Sequence, residues 1–80
     1  MLLSPNPTTG QFRLDVRNGQ TGKVRIEVLN VLGSTLLTVE DAKTADAYAR
    51  TLELSHLPGG TYVVRFSAGQ TVIRKKIVKL

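Results

Sequence analysis

The chain has no cysteine and no tryptophan, one histidine, and only two tyrosines and two phenylalanines in 80 residues. Without cysteine, neither a disulfide nor a thiolate metal site can brace the fold, and the redox compartment stays open. The one histidine, His56, has no second imidazole or thiol with which to share a metal, so it reads as a solvated turn residue. Uninterrupted apolar runs stop at two or three residues, far below the ~20 that cross a bilayer as a helix. Met1-Leu2-Leu3 is too short for the apolar region of a secretory signal. A secreted parent would carry its signal elsewhere, and the chain reads as a module excised from a longer protein. No carboxylate pair, nucleophile with a base, or phosphate-cradling loop can be assembled, so neither an enzyme nor a cofactor is expected.

Eighty residues make one small domain, residues 1–80. A chain of this size buries roughly 60–65% of its extended surface. Its 11 basic and 6 acidic residues give a net charge of +5, unevenly placed. Arg74, Lys75, Lys76 and Lys79 lie in the last stretch with no acid among them. Such cations are either solvated residues that keep an edge strand from unwanted pairing or a docking surface for an acidic partner or an anionic envelope. Nucleic acid is disfavoured, because the aromatics are needed for the core and no recognition helix is visible.

What is present is alternation and turns. Leu57-Pro58-Gly59-Gly60 feeds a strand with Tyr62, Val64 and Phe66 on one face and Thr61, Val63 and Arg65 on the other. That strand is expected at the centre of the core, with Pro58 pre-setting φ and Gly59 or Gly60 turning the chain. Residues 1–10 read as a lead-in loop after an upstream linker, because Pro5 and Pro7 exclude regular structure and Gly10 frees a change of direction. Gln11 to Arg17 and Lys23 to Leu29 are period-two strands, with Phe12, Leu14, Val16 and then Val24, Ile26, Val28 inward. Asn18-Gly19 marks the turn between them.

Asn30-Val31-Leu32-Gly33-Ser34 reads as a turn whose apolar pair caps one end of the core. Thr35 to Glu40 resumes as strand. Asp41 to Arg50 reads as a mobile loop, and Thr51 to Leu54 as the next strand. After Ser67-Ala68-Gly69-Gln70, Thr71 to Leu80 is the last strand. Its change of apolar parity predicts a bulge near Arg74-Lys75-Lys76. Six or seven short strands with turn chemistry between them predict an all-β fold, a small antiparallel immunoglobulin-like β-sandwich occupying residues 11–80.

Four markers occur in order: Pro5-Asn6-Pro7-Thr8-Thr9-Gly10, Asn30-Val31-Leu32-Gly33, Leu57-Pro58-Gly59-Gly60-Thr61-Tyr62-Val63-Val64-Arg65, and a basic closing strand. Together they resemble the type A C-terminal sorting domain of the type IX secretion system of Bacteroidetes, over essentially the whole chain. Asn30, Ser34 and Gly59 depart from the residues common in that family at their positions, without removing a backbone requirement. The resemblance implies a non-catalytic secretion signal at the end of a cargo protein, in transit through the periplasm to the cell surface or the medium. Its implied partners are the outer-membrane translocon, a shuttle protein, and a sortase-like cysteine protease that cuts upstream, just before Ser4 or before the chain begins.

On this reading Arg74, Lys75, Lys76 and Lys79, with Leu57, Pro58, Gly59 and Gly60, form the recognised surface. Pro5, Asn6, Pro7, Gly10, Gly33, Tyr62, Val64 and Arg65 are motif residues that serve the fold. A rival is a carbohydrate-binding or adhesive sandwich, for which Tyr48 is the one aromatic left outside the core. A structural spacer is another. The open edge of the final strand also allows an edge-to-edge dimer of the isolated module.

Overall fold

Alternation of apolar and polar side chains is realised as seven strands and no helix. The structure, a computed structural model, describes residues 1–80. In chain order the strands are β1 (Leu2–Ser4), β2 (Gln11–Arg17), β3 (Gly22–Leu29), β4 (Thr35–Lys43), β5 (Ala47–Glu53), β6 (Gly60–Ala68) and β7 (Thr71–Lys79). They form a three-stranded sheet β1-β2-β5 and a four-stranded sheet β4-β3-β6-β7. All neighbours are antiparallel. Lettered A, B, C, C′, E, F, G, the order is ABE against C′CFG, an immunoglobulin-like sandwich. The chain changes sheets between β2 and β3, β4 and β5, and β5 and β6.

The predicted centre holds. β6 is an inner strand of the larger sheet, and Tyr62, Val64, Phe66 and Ala68 are buried on its inner face. Ile26 and Val28 of β3 lie directly beside Phe66 and Val64. Phe12, Leu14, Val16, Leu52 and Leu54 supply the opposing layer. Each such side chain contributes about 1.5–3 kcal/mol through burial, so a shift of either register by one residue would exchange core for charge. The Tyr62 hydroxyl donates to the Pro58 carbonyl four residues upstream. This is a tyrosine corner, which pins the start of the sixth strand to the crossover that precedes it.

Five sequence expectations are corrected. Residues 1–10 are not wholly a lead-in loop. Leu2–Ser4 form β1 against β2, with Leu3 in the core, because Leu3 supplies an apolar plug that the three-stranded sheet otherwise lacks at its edge. Asp41 to Arg50 is no mobile loop either. β4 continues to Lys43 and β5 begins at Ala47, before the expected Thr51.

Two contacts order this region. The Lys43 ammonium, 1% exposed, donates to the carbonyls of Asn18, Gln20 and Ala45 at 2.6–2.8 Å, which replace its water shell. Tyr48, expected outside the core, buries its ring 5.9 Å from that of Phe66. Its hydroxyl donates to Asp41 at 2.7 Å, and Arg50 donates to the same carboxylate at 2.9 Å. The seam between β4 and β5 is thus bolted across the two sheets.

Val31 and Leu32 do not cap the core, being 71% and 89% exposed. The Asn30 carboxamide and local backbone bonds shape their turn. Asn30 Oδ1 accepts from the Leu32 and Ser34 amides, Gly33 N–H donates to the Asn30 carbonyl, and Gly33 takes φ +91°. The bulge expected near Arg74 is absent, since the β6–β7 register runs unbroken from Gly60↔Lys79 to Ala68↔Thr71. The irregularity lies instead between Val28 and Leu29, opposite β4. Ile73 and Ile77 share the inner parity with Lys75. Lys75 is nevertheless exposed, because an edge strand of four overhangs a sheet of three.

Tyr62→Phe should leave the fold intact but cost about 1 kcal/mol and lower the melting temperature by about 4–8 °C, read by thermal unfolding. The Asp41 cluster makes a pH prediction. The Tyr48 hydroxyl, then the Ala42 amide and Arg50, hold the Asp41 carboxyl at about 2, below its ordinary 3.8. Its contribution to stability is therefore complete above pH 3.8 and disappears as pH falls through about 2. Burial, then the bond to Asp41, pushes the Tyr48 phenol from 10.0 up to about 12. That contribution is lost as pH rises through the same value. Denaturant titrations of Asp41→Asn should show a shallower acid limb than the parent.

Candidate functional site

β7 is an edge strand of the four-stranded sheet, so one side of its main chain has no strand partner. The Pro5–Thr8 segment near the start of the chain covers half of it. Asn6 Nδ2 donates to the Lys76 carbonyl and Asn6 Oδ1 accepts from the Val78 amide, both at 3.0 Å. Thr8 N–H donates to the Val78 carbonyl at 2.8 Å, and Leu80 N–H donates to the Thr8 carbonyl at 2.9 Å. Thr8 pairs in parallel with Lys79. The asparagine side chain thus stands in for a peptide group, since the prolines on either side of it have no N–H to give. Thr8 is itself fixed, its hydroxyl donating to the Gln11 carbonyl and accepting from the Gly10 amide.

The motif residues sort into this framework. Gly10 is buried against Ser55 and Glu53, and its carbonyl accepts from the Leu54 amide at 2.7 Å. Val64 is core. Arg65 donates to Glu27 across the β3–β6 pair at 2.9–3.0 Å, with both side chains mostly buried on the outer face. Gly33, Tyr62 and the Pro5-Asn6-Pro7 run have the structural tasks already described. Asn6 and Thr8 were legible as turn residues only. The signal for their edge-covering task was a side-chain amide placed between two residues that cannot donate.

The residues expected to be recognised divide into two groups. Gly60 is the register partner of Lys79, and a Cβ on Gly59 would lie 3.3 Å from the Leu80 carbonyl carbon. The exposed Pro58-Gly59-Gly60 turn, with half-buried Leu57, therefore abuts the final residues of β7. Arg74 and Lys76 sit further along the strand on the outer face, and Lys75 and Lys79 have the opposite parity. The four cations consequently do not form one patch; they line both sides of an edge.

Their electrostatic setting is distinctive. Four of the six acids, Asp15, Glu27, Glu40 and Asp41, are paired with Arg13, Arg65, Arg25 and Arg50. None of those arginines lies on β7, and no ion pair involves its four cations. Each exposed pair contributes at most about 1 kcal/mol, but together they consume the negative charge available nearby. On the outer face Arg74 shares an open groove with Lys23, Arg25 and Arg65 and with the acids Glu27, Glu40 and Asp41, each of which is already paired with an arginine. No group of three or more His, Cys, Asp or Glu side chains converges anywhere. All four aromatic rings are buried, Tyr48 included, which removes the stacking platform that the carbohydrate-binding reading needed.

Asn6→Ala should leave the core intact yet speed exchange of the Val78 amide, measured by hydrogen–deuterium exchange, because the carboxamide is its partner.

No curated protein matches the chain. A family model described as the secretion-system C-terminal sorting domain matches residues 3–80, a span that takes in β2 to β7, all but the first residue of β1, the edge-covering segment and the tyrosine corner. The chain belongs to that family, the C-terminal sorting domains of type IX secretion.

Proposed function

We propose that the domain is the address label of a larger cargo protein, read in the periplasm by the outer-membrane translocon and its shuttle component. The label is non-catalytic; it is the substrate of a sortase-like cysteine protease that removes it after export. The cargo is then released or joined to anionic lipopolysaccharide. Membership of the sorting-domain family across residues 3–80 carries this reading. The surface supports it, because an exposed edge and exposed charges are features a receptor can read on the folded domain. β7 and the adjoining Leu57–Gly60 turn are the surface we assign to that receptor, since they combine unpaired cations with unpaired main chain.

The fold constrains the cut. Leu3 is a core residue paired with Leu14, so a cut just before Ser4 would strip β1 from the sandwich. Only a cut upstream of Leu2 leaves the domain whole. The fold also constrains the test. Deleting Lys75 to Leu80 would remove Ile77, which is fully buried, and lost export would then report lost folding.

Charge reversal avoids that confusion. Residues 1–80 fused behind a signal peptide and a reporter should bring the reporter to the surface of a type IX-competent bacterium, and a translocon mutant should abolish display. Arg74→Glu combined with Lys76→Glu should reduce display at unchanged melting temperature. Undiminished display of that double variant would remove β7 from the recognised surface.

A further inference from the structure

The edge of β7 is covered only in part. In an antiparallel ladder, alternate residues turn their N–H and C=O groups toward the paired strand and the others turn them away. Asn6 and Thr8 bond to Lys76, Val78 and Leu80, so the even-numbered residues present their main chain on the free side. Val72 and Arg74 share that parity, and no hydrogen bond from outside the sheet reaches their amides or carbonyls. Three residues of flat, extended, unpaired edge therefore lie immediately before the covered half.

The side chains around this edge are arranged in rows that end abruptly. Across the outer face one row runs Thr38, Glu27, Arg65, Arg74. Arg65 already has Glu27 as its partner, and Arg74 stands directly opposite Arg65. Like charges in that position repel, so the row reads minus, plus, plus and stops. A carboxylate on a strand beyond β7 would relieve it. The neighbouring row ends in Val72, which is 49% exposed. On the other parity, half-buried Ile73 is followed by the exposed, unpaired Lys75.

We propose that the free edge from Val72 to Lys75 accepts a short extended segment of a partner protein, with two adjacent acidic residues beside Arg74 and Lys75 and two apolar residues beside Val72 and Ile73. Main-chain bonds to Val72 and Arg74 supply the attachment, and the four flanking side chains supply the choice. The same charges exclude a second copy of this chain, because β7 against β7 would set three consecutive cations against three others. The inference rests on the reading above for the identity of the partner as the sorting receptor; the chemistry of the edge is independent of it.

The test uses acetylated, amidated hexapeptides and amide exchange on the whole 80-residue domain. Thr-Glu-Glu-Val-Val-Thr and its reversed order cover the two strand directions. One of them should slow exchange at Val72 and Arg74 about tenfold or more. Copies with lysine for glutamate, or proline for valine, should not. Equal protection by the proline copy would reduce the interaction to charge alone, and equal protection by the lysine copy would remove the acidic requirement. Absence of protection by both orders at about 1 mM, a very weak affinity, would overturn the proposal outright.

Val72→Pro removes one outward N–H without altering charge, at an edge position where proline is tolerated, and should abolish the protection at Arg74. Should that variant not fold, the peptide series decides alone. Failure of the peptides leaves the reporter display of the sorting reading untouched, and failure of display leaves the peptide result standing.

Discussion

Two open sheets have four edges, and every edge presents peptide groups that need hydrogen-bond partners or water. An 80-residue chain has little material with which to cover them. At β7 the early Pro5–Thr8 segment returns to the last strand, and a side-chain amide supplies the donor and acceptor that a neighbouring strand would have given. The remainder of that edge is left open and lined with cations. The core, the turns and the two crossovers into β3 and β6 serve to hold this one strand in place. Its position on the outside of the larger sheet is therefore the feature from which the functional reading follows.

Much of the family pattern is explained by folding alone. The Leu57-to-Arg65 run places a tyrosine corner, a core stripe and a cross-strand ion pair in nine residues. The Asn30-to-Gly33 run is a turn held by one carboxamide and one positive-φ glycine. Neither run needs a receptor to account for it. The cations of β7 are different, because none of them makes an ion pair within the domain.

The sequence was most legible where one face of a strand is wet. β2, β3 and β6 alternate cleanly, and their registers, inner faces and antiparallel pairing follow from period two. It was least legible where charge and burial coincide. Lys43 and Asp41 looked like loop residues because a buried ammonium satisfied by three carbonyls has no local signature; its acceptors come from residues 18, 20 and 45. Tyr48, with alanines on either side, carried no stripe to announce a strand. On β7 the exposed Val72 and Val78, opposite in parity to Ile73 and Ile77, were mistaken for a sign of a break in register. The turn at Val31 and Leu32 misled for the opposite reason, since two apolar residues there are held in water by backbone bonds. For the candidate site, the identity of the cations was plain from the sequence, but their distribution over both sides of an edge was not.

The bond between Thr8 and Leu80 spans nearly the whole chain. A ribosome makes Thr8 before β7, so this clasp can close only once β7 has been synthesised. Contacts of such high sequence separation form late and slowly. A prematurely terminated copy lacks the strand on which the clasp shuts, and loses Ile77 from its core as well. The fold thus ties two distant segments together: only a chain that holds both Thr8 and an intact β7 displays the finished edge.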